Sequence, residues 1–441
     1  MSIHPSVVDK LDPEYVAFHN AYIKDHVVPA ETLPWDPKIR EGPSVPGTSE
    51  PLEVASIKDY DLSEARIRVF TPKGERPAGG WPVLIWFHGG GWTLGNISSD
   101  TSFATQMVNA ANCVAVSVDY RLAPENKYPA AVEDAIEALD WVLSKGPTEV
   151  NINPSRISVG GSSSGGNIAA ILSLKAAERN IPLMSQLLIV PVADNTASVD
   201  DLWAENQDTP WLTPARMNWF KNNYLPNKED WTKWDASPTF APVELLGHTP
   251  KAFIAVCEMD ILKNEGIAYG EKLRMAGVEV ETVIYPGAPH PIMAMDGAYL
   301  SCLLISILTD MAKLSKCSRG SRSWQKASAR CGKGLISSLV HHSLIPRGFA
   351  NVAPKHYTSS HAQTVVVYIQ HNPPLSSQES GKRVVLDLSV LVSKAKYPSP
   401  GSSKCRIRVR ERTSFRISSS TSRDLQHFPS KANSKDLRFF A

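Results

Sequence analysis

The sequence predicts an α/β fold with a mostly parallel central sheet and helices on both of its faces. Two observations predict it. Short apolar runs at residues 83–87, 113–118, 186–190 and 252–256 carry almost no charge, and stretches of helical periodicity alternate with them. Strands that are apolar on nearly every side chain are typical of sheets covered on both faces. Parallel neighbours also need crossover connections, which the intervening helices supply.

The first 50 residues are expected to form an N-terminal arm. Seven prolines interrupt them, and one amphipathic helix is predicted over residues 14–25. Two strands of alternating polarity follow at residues 54–60 and 65–70, and we expect them to pair antiparallel. We interpret the arm as a segment that covers a site.

The remaining elements follow in chain order. Helices are predicted at residues 101–111, 130–143, 167–177, 265–275 and 295–313, and strands at residues 156–159 and 280–285. Residues 195–250 interrupt the alternation, so we interpret them as a cap inserted between two strands. The cap is rich in tryptophan, and these rings either line an acyl pocket or pack the cap against the body. For any single ring, packing is favoured, because aromatic side chains serve cores more often than pockets.

Charge divides the chain near residue 316. The overall formal charge of +2 combines −14 over residues 1–316 with +16 over residues 317–441. The basic, Ser-rich tail has no sustained periodicity, so we expect disorder or a non-native appendage. Its arginines leave open a tether to nucleic acid or to an anionic membrane. The predicted domains are therefore an arm at 1–50, an α/β domain at 51–316 with the cap insertion at 195–250, and the tail at 317–441.

The predicted location is intracellular. The six cysteines have no Cys-x-x-Cys spacing, and no apolar segment of signal-peptide type follows Met1. No apolar run approaches the roughly 18 residues of a membrane-spanning helix. Cytoplasm is one expectation. Ala312-Lys313-Leu314 resembles a peroxisomal signal, which leaves the peroxisome as a second.

A candidate nucleophile lies within residues 156–167. Residues 156–159 form a strand, a turn follows at Gly161-Ser162-Ser163-Ser164-Gly165, and a helix comes next. In this setting the pattern Gly-x-Ser-x-Gly is typical of a nucleophile elbow, in which a sharp turn exposes the middle serine. Ser163 is therefore the candidate nucleophile.

A serine nucleophile needs a base and an orienting acid, and in this architecture they follow it in the order acid, then histidine. Asp260 comes just after an apolar strand, and His290 follows another strand in a Pro- and Gly-rich loop. Both should lie at the carboxyl edge of the sheet. Glu258 and Asp235 are weaker candidates for the acid. His248 precedes a strand and should lie at the opposite edge.

An oxyanion hole is predicted in the loop His88-Gly89-Gly90-Gly91-Trp92, which follows the first apolar strand. Glycines let backbone N–H groups approach a substrate closely. The N–H of Ser164, the residue after the nucleophile, completes such a hole. Gly90 and Gly91 are the preferred donors in the loop, with Gly89 beside them. A phosphate-binding loop is disfavoured, because neither Gly-x-Gly-x-x-Gly nor a following Lys-Ser/Thr is present.

These motifs resemble the hormone-sensitive-lipase-like branch of the α/β-hydrolase family. The resemblance rests on residues 88–92, 119–125, 160–167 and 260–266, together with Ala276-Gly277-Val278 and His290, and it spans residues 50–315. It implies serine esterase chemistry without a cofactor or metal. Within the branch, the chain is similar to fungal hydrolases of secondary-metabolite and toxin clusters. The branch usually has Asp-Ser-Ala at the elbow, where this chain has Ser162-Ser163-Ser164.

The sequence thus predicts a hydrolase of a small-molecule carboxylic ester, lactone or thioester, acting through an acyl-enzyme. No nucleic-acid partner is expected for this activity. The alternative is a non-hydrolytic relative, either a small-molecule receptor or an acyltransferase. The presence of Ser163, Asp260 and His290 favours the hydrolase.

Overall fold

The computed structural model describes residues 1–41, 46–295, 385–396 and 406–418. The chain divides into two compact units, Met1–His342 and Ser343–Ala441. The predicted last helix at 295–313 and the predicted boundary at residue 316 lie outside the described residues, apart from Met295.

Within the described part of the first unit, eight strands form one sheet. They are β1 Ser56–Asp61, β2 Arg66–Thr71, β3 Trp81–Phe87, β4 Val114–Asp119, β5 Ile152–Ser162, β6 Ser185–Ile189, β7 Ala252–Met259 and β8 Val280–Pro289. Their order across the sheet is β1-β2-β4-β3-β5-β6-β7-β8. β1 and β2 add antiparallel strands at one edge, and every pairing from β4 to β8 is parallel. The sheet is therefore mostly parallel, as predicted.

Helices connect and cover these strands. They are α1 Pro13–Tyr22, α2 Thr101–Ala111, α3 Ala130–Ser144, α4 Gly146–Val150, α5 Ser164–Glu178, α6 Pro214–Tyr224, α7 Val243–Leu246 and α8 Lys263–Met275. Helix α2 has the predicted bounds. Helix α5 begins three residues before the predicted start, because the chain turns into the helix immediately after Ser163.

Two apolar clusters lie on opposite faces of the sheet. Along β3, Val83, Ile85 and Phe87 belong to the larger cluster, which also contains side chains of α3, α5 and α8. Leu84 and Trp86 belong to the second, with side chains of α2 and of the N-terminal arm. Because successive side chains of a strand point to opposite faces, this division shows that both faces are covered.

The carboxyl ends of four parallel strands meet at one edge of the sheet. His88 follows β3, Ser163 follows β5, Asp260 follows β7 and His290 follows β8. Strand β8 runs to Pro289, so the segment predicted as a Pro/Gly loop before His290 is extended strand instead. The fold therefore brings all four positions to a single edge.

In the second unit, the structure describes β9 Val385–Lys396 and β10 Arg406–Ser418, which pair antiparallel. Disorder or a non-native appendage is the expectation for residues 317–441, and it stays a prediction for the residues outside these two strands. Their alternating apolar and polar residues suit a strand. The rest of residues 317–441 lies outside the described residues.

Candidate active site

The elbow places Ser163 between β5 and α5 in an uncommon backbone conformation, with φ 57° and ψ −117°. Its N–H donates to the carbonyl of Ile189 at 2.8 Å. The flanking glycines are required by close approach. A Cβ on Gly161 would lie 2.2 Å from the carbonyl oxygen of Gly165, and one on Gly165 would lie 2.1 Å from that of Phe87. Only glycine fits at these two positions.

The structure brings Ser163, His290 and Asp260 into one hydrogen-bonded chain. Nε2 of His290 lies 2.9 Å from Oγ of Ser163, and Nδ1 lies 2.7 Å from Oδ2 of Asp260. A carboxylate only accepts, so the proton lies on Nδ1, and Nε2 is left to accept from the serine hydroxyl. All three side chains are buried, with 1% of Asp260 exposed and less than a tenth of the other two.

The competing candidates lie elsewhere. Oε2 of Glu258 accepts from the N–H of Gly287 at 2.7 Å, which ties the end of β7 to β8. Asp235 accepts from the Tyr128 hydroxyl at 2.6 Å and pairs with Lys175 at 3.1 Å. His248 is exposed and precedes β7. None of the three has a hydrogen bond to Ser163 or His290 among those the described residues make.

The glycine loop uses its carbonyl groups for its own folding. The carbonyl of Gly89 accepts from Nδ1 of His88 at 2.7 Å, and that of Gly90 accepts from the N–H of Leu94 at 2.8 Å. In a trans peptide, the N–H points opposite to the carbonyl of the preceding residue. The N–H groups of Gly90 and Gly91 therefore point away from the interior of the loop. A Cβ on Gly89 would lie 3.5 Å from the Cβ of Ser163, so the loop lies against the elbow.

Ser164 begins helix α5, and the first N–H groups of a helix have no partner within it. Its side chain is fully buried beside the hydroxyl of Tyr120. The Tyr120 hydroxyl donates to the carbonyl of His88 at 2.9 Å, and burial raises the pKa of Tyr120, so it remains a protonated donor. This bond fixes the start of the glycine loop.

The inserted segment contacts the glycine loop through α6. The ring of Phe220 lies over Gly91, where an added Cβ would come within 2.2 Å of its carbons. Trp203 is fully buried in the core, and Trp211, Trp219, Trp231 and Trp234 pack partly buried against the same core. These contacts agree with the packing interpretation of the tryptophans.

Two buried titratable side chains, Glu265 and Lys221, lie behind the site and were not predicted from the sequence. Glu265 on α8 accepts from the N–H of Ala193 at 2.8 Å and from Nε1 of Trp203 at 3.1 Å. Burial raises the pKa of Glu265 to about 8. Lys221 on α6 donates to the carbonyls of Asn195 and Ala197, and burial lowers its pKa to about 8. Glu265 lies in residues 260–266, one of the stretches that carry the family resemblance, but no local pattern in the sequence indicates its hydrogen-bond partners.

Two further features of the described residues bear on the chemistry. No group of three or more His, Cys, Asp or Glu side chains is placed to hold a metal ion there. Among the same residues, no helix combines the length and apolar composition needed to cross a bilayer.

Comparison with known proteins gives a consistent result. The sequence pattern of the alpha/beta hydrolase fold matches residues 84–294. An AB hydrolase superfamily protein of Schizosaccharomyces pombe is 47% identical over 306 residues, which are 66% of this chain and 89% of that protein. Carboxylesterase NlhH of Mycobacterium tuberculosis is 37% identical over 234 residues, or 52% of this chain and 72% of that one. The crystal structure of a thermostable esterase from Pseudomonas putida ECU1011 is 30% identical in sequence and has a TM-score of 0.61. The match covers 71% of this chain and 97% of the esterase chain.

Proposed function

Because the chain belongs to the α/β-hydrolase family, we propose that it is a carboxylic ester hydrolase with Ser163 as its nucleophile. One observation carries the proposal: the unbroken hydrogen-bonded chain from Ser163 through His290 to Asp260. The names of the relatives, which include a carboxylesterase and an esterase, support the same reaction class.

In the proposed mechanism, Oγ of Ser163 attacks the ester carbonyl carbon while Nε2 of His290 takes the hydroxyl proton. Asp260 holds the imidazole and stabilises its positive charge. The oxyanion of the tetrahedral intermediate accepts from the N–H groups of Ser164 and the glycine loop, chiefly Gly90 and Gly91 with Gly89 beside them. The carbon–oxygen bond then breaks, and the alcohol leaves with the proton from His290.

Water completes the cycle. His290 takes a proton from a water molecule that attacks the acyl carbon, and the second tetrahedral intermediate collapses to release the acid and the Ser163 hydroxyl. In each half of the cycle His290 acts first as base and then as acid, returning its proton to the leaving alcohol and then to Oγ of Ser163, so no group is consumed. Losing one donor to the oxyanion costs about 2.7–4 kcal/mol in such sites.

The natural substrate is proposed as a small ester, lactone or thioester. A place in fungal secondary metabolism or toxin biosynthesis stays a prediction that rests on the motif resemblance. The intracellular location, cytoplasmic or peroxisomal, also stays a prediction. Ala312-Lys313-Leu314, on which the peroxisomal alternative depends, lies outside the described residues.

A receptor or an acyltransferase on the same fold is the alternative. A receptor would not need a nucleophile bonded to a base, so the 2.9 Å contact between Ser163 and His290 disfavours it. Labelling by a fluorophosphonate probe distinguishes a hydrolase from a receptor, because a receptor with an inert serine stays unlabelled. An acyltransferase would label, but would need an alcohol acceptor to turn over.

Ser163→Ala tests the proposal. Removing the nucleophile should lower kcat for p-nitrophenyl butyrate by about 10⁶-fold, as in other serine hydrolases. Ser162→Ala and Ser164→Ala keep the nucleophile and should retain part of the activity and the labelling. Thermal unfolding of each variant checks that it is folded. Full turnover by Ser163→Ala would refute the assignment.

A further inference from the structure

The loop that carries Asp260 lies where the sheet no longer fixes the backbone. Strand β7 pairs with β8 regularly up to Cys257 and Tyr285, and the register then shifts before Met259 pairs with Pro289. Such irregularities interrupt the ladder of hydrogen bonds and redirect the side chains that follow. The backbone carbonyls of residues 258–260 therefore need partners from outside the sheet.

Two side chains of the inserted segment supply those partners. Nδ2 of Asn206 donates to the carbonyl of Glu258 at 2.9 Å and to that of Asp260 at 2.8 Å. The hydroxyl of Thr209 donates to the carbonyl of Met259, between them. Three successive carbonyls are thus bound by the two side chains, which we call the acid clamp.

The acid clamp is itself rigidly held. Asn206 is 4% exposed and Thr209 is 1% exposed, so water does not compete for their hydrogen bonds. The N–H of Thr209 donates to the carbonyl of Asn206 at 3.0 Å, and the N–H of Asn206 donates to that of Trp203 at 3.0 Å. Trp203 is in turn bound to Glu265. The clamp therefore extends from a buried anchor to the loop of the acid.

We propose that Asn206 and Thr209 are positioning residues that act through Asp260, so that the inserted segment sets the geometry of the acid as well as covering the site. This proposal rests on the proposed function, because it assigns them a role in the Ser163–His290–Asp260 chain. The carboxyl group of Asp260 is fixed by His290 and by the N–H of Leu262 at 3.0 Å. Its backbone carbonyl accepts from Asn206 of the clamp at 2.8 Å and, more weakly, from the N–H of Lys263 at 3.2 Å. Without the clamp, the carboxylate would lose its alignment with Nδ1 of His290.

The test measures kcat and KM for p-nitrophenyl butyrate in Asn206→Ala and Thr209→Val. A misplacement of about 1 Å costs on the order of 10²-fold in rate. We therefore expect kcat to fall by about 10- to 100-fold with KM nearly unchanged, since the clamp has no described contact with the glycine loop. Thr209→Ser keeps the hydroxyl and should restore most of kcat.

Thr249→Val is the matched control. The Thr249 hydroxyl is also buried and donates to a carbonyl, that of Leu246 at 2.7 Å, but at the other end of β7. The Thr249→Val substitution should lower the unfolding temperature as Thr209→Val does, but it should leave kcat unchanged. An equal loss of kcat in the two valine variants would overturn the proposal, as would equal activities of Thr209→Val and Thr209→Ser.

A double-mutant cycle separates positioning from general stability. If Asn206 acts through Asp260, then Asn206→Ala should cost almost nothing further once Asp260→Asn has removed the acid. The same loss in both backgrounds would overturn the proposal. If Asn206→Ala fails to fold, the Thr209 variants in both backgrounds decide the question. An inactive wild-type protein would instead refute the proposed function, so the two failures are distinguishable.

Discussion

At the residue scale, the site depends on which side chains are absent as much as on those present. Ser163 adopts a positive φ, and the turn around it closes only because Gly161 and Gly165 leave room for neighbouring carbonyls. The sequence predicted the sharp turn and the exposed serine, because the spacing of the glycines around Ser163 is a local pattern. It favoured Asp260 over Glu258 as the acid, but it could not show what Glu258 binds. Both lie at the end of β7, and only the tertiary structure shows that Glu258 binds the backbone of Gly287.

Glu265 gives a prediction for the pH dependence of stability. Burial raises its pKa from 4.5 to about 8 in the folded chain. Between these values the folded state holds a proton that the unfolded state has released, so the contribution to stability is fully present below pH 4.5 and is lost as the pH rises toward 8. The free energy of unfolding of the wild type, relative to Glu265→Gln, should therefore decrease between pH 5 and pH 7.5.

Urea unfolding at a series of pH values measures this difference. Glu265→Gln cannot ionise and keeps an acceptor for the N–H of Ala193, so it removes the titration with little change of shape. Other titrating groups are common to both proteins and largely cancel, except Lys221, whose pKa is lowered by burial and raised by the charge of Glu265. The comparison is therefore made below pH 7.5. A difference that grew with pH would mean that the ionised carboxylate is the stabilising form.

At the scale of elements, the N-terminal arm is tied to the glycine loop. Arg40 donates to the carbonyl of Thr93 at 2.8 Å and to that of Ala123 at 2.7 Å, and it pairs with Glu125 at 2.6 Å. The N–H of Thr93 donates to the carbonyl of Gly90, and its hydroxyl donates to that of Gly91. The arm was expected to cover a site, and the structure ties it to a predicted part of the site.

Arg40→Ala should therefore lower kcat by about tenfold, less than the roughly 10²- to 10³-fold loss of a direct oxyanion donor. The fall should be mainly in kcat, because the glycine N–H groups contact the transition state more strongly than the bound ester. Arg40→Lys should recover little, since a point charge does not reproduce a planar fork that binds two carbonyls and a carboxylate.

Arg66→Ala is the control for Arg40→Ala. Arg66 also forms an ion pair, with Asp61 at 3.1 Å, but on the antiparallel edge of the sheet. Steady-state kinetics on the three variants compare the losses. Equal kcat values for Arg40→Ala and Arg66→Ala would show that the arm does not act on the loop.

At the scale of the whole molecule, the proposed catalytic groups all lie between residues 88 and 290, in the first compact unit. Residues 385–396 and 406–418 belong to the second unit, where they pair with each other antiparallel. The predicted boundary at residue 316 therefore leads to the prediction that residues 1–316 carry the activity.

A protein that ends at Lys316 should hydrolyse p-nitrophenyl butyrate with the kcat and KM of the full chain, because the described contacts of the site involve no residue of the tail. Its unfolding temperature should also be unchanged. Ser163→Ala in the shortened protein gives the background rate. A marked loss of kcat or of thermal stability would show that the tail is part of the catalytic domain.

The sequence by itself determined the class of fold, and it predicted Ser163 as the nucleophile together with the strands that lead to the site residues. Each of these follows from a pattern that is visible in the sequence. Apolar runs indicate strands, the glycine spacing indicates a sharp turn, and the order serine, acid, histidine along the chain indicates the catalytic roles. Only the tertiary structure decided what surrounds them. Asn206, Thr209, Arg40 and Glu265 form hydrogen bonds with partners from 50 to 83 residues away in the chain. Hydrogen bonds between such distant segments leave no periodicity or spacing in the sequence, because only the folded chain brings the arm, the inserted segment and α8 to their partners.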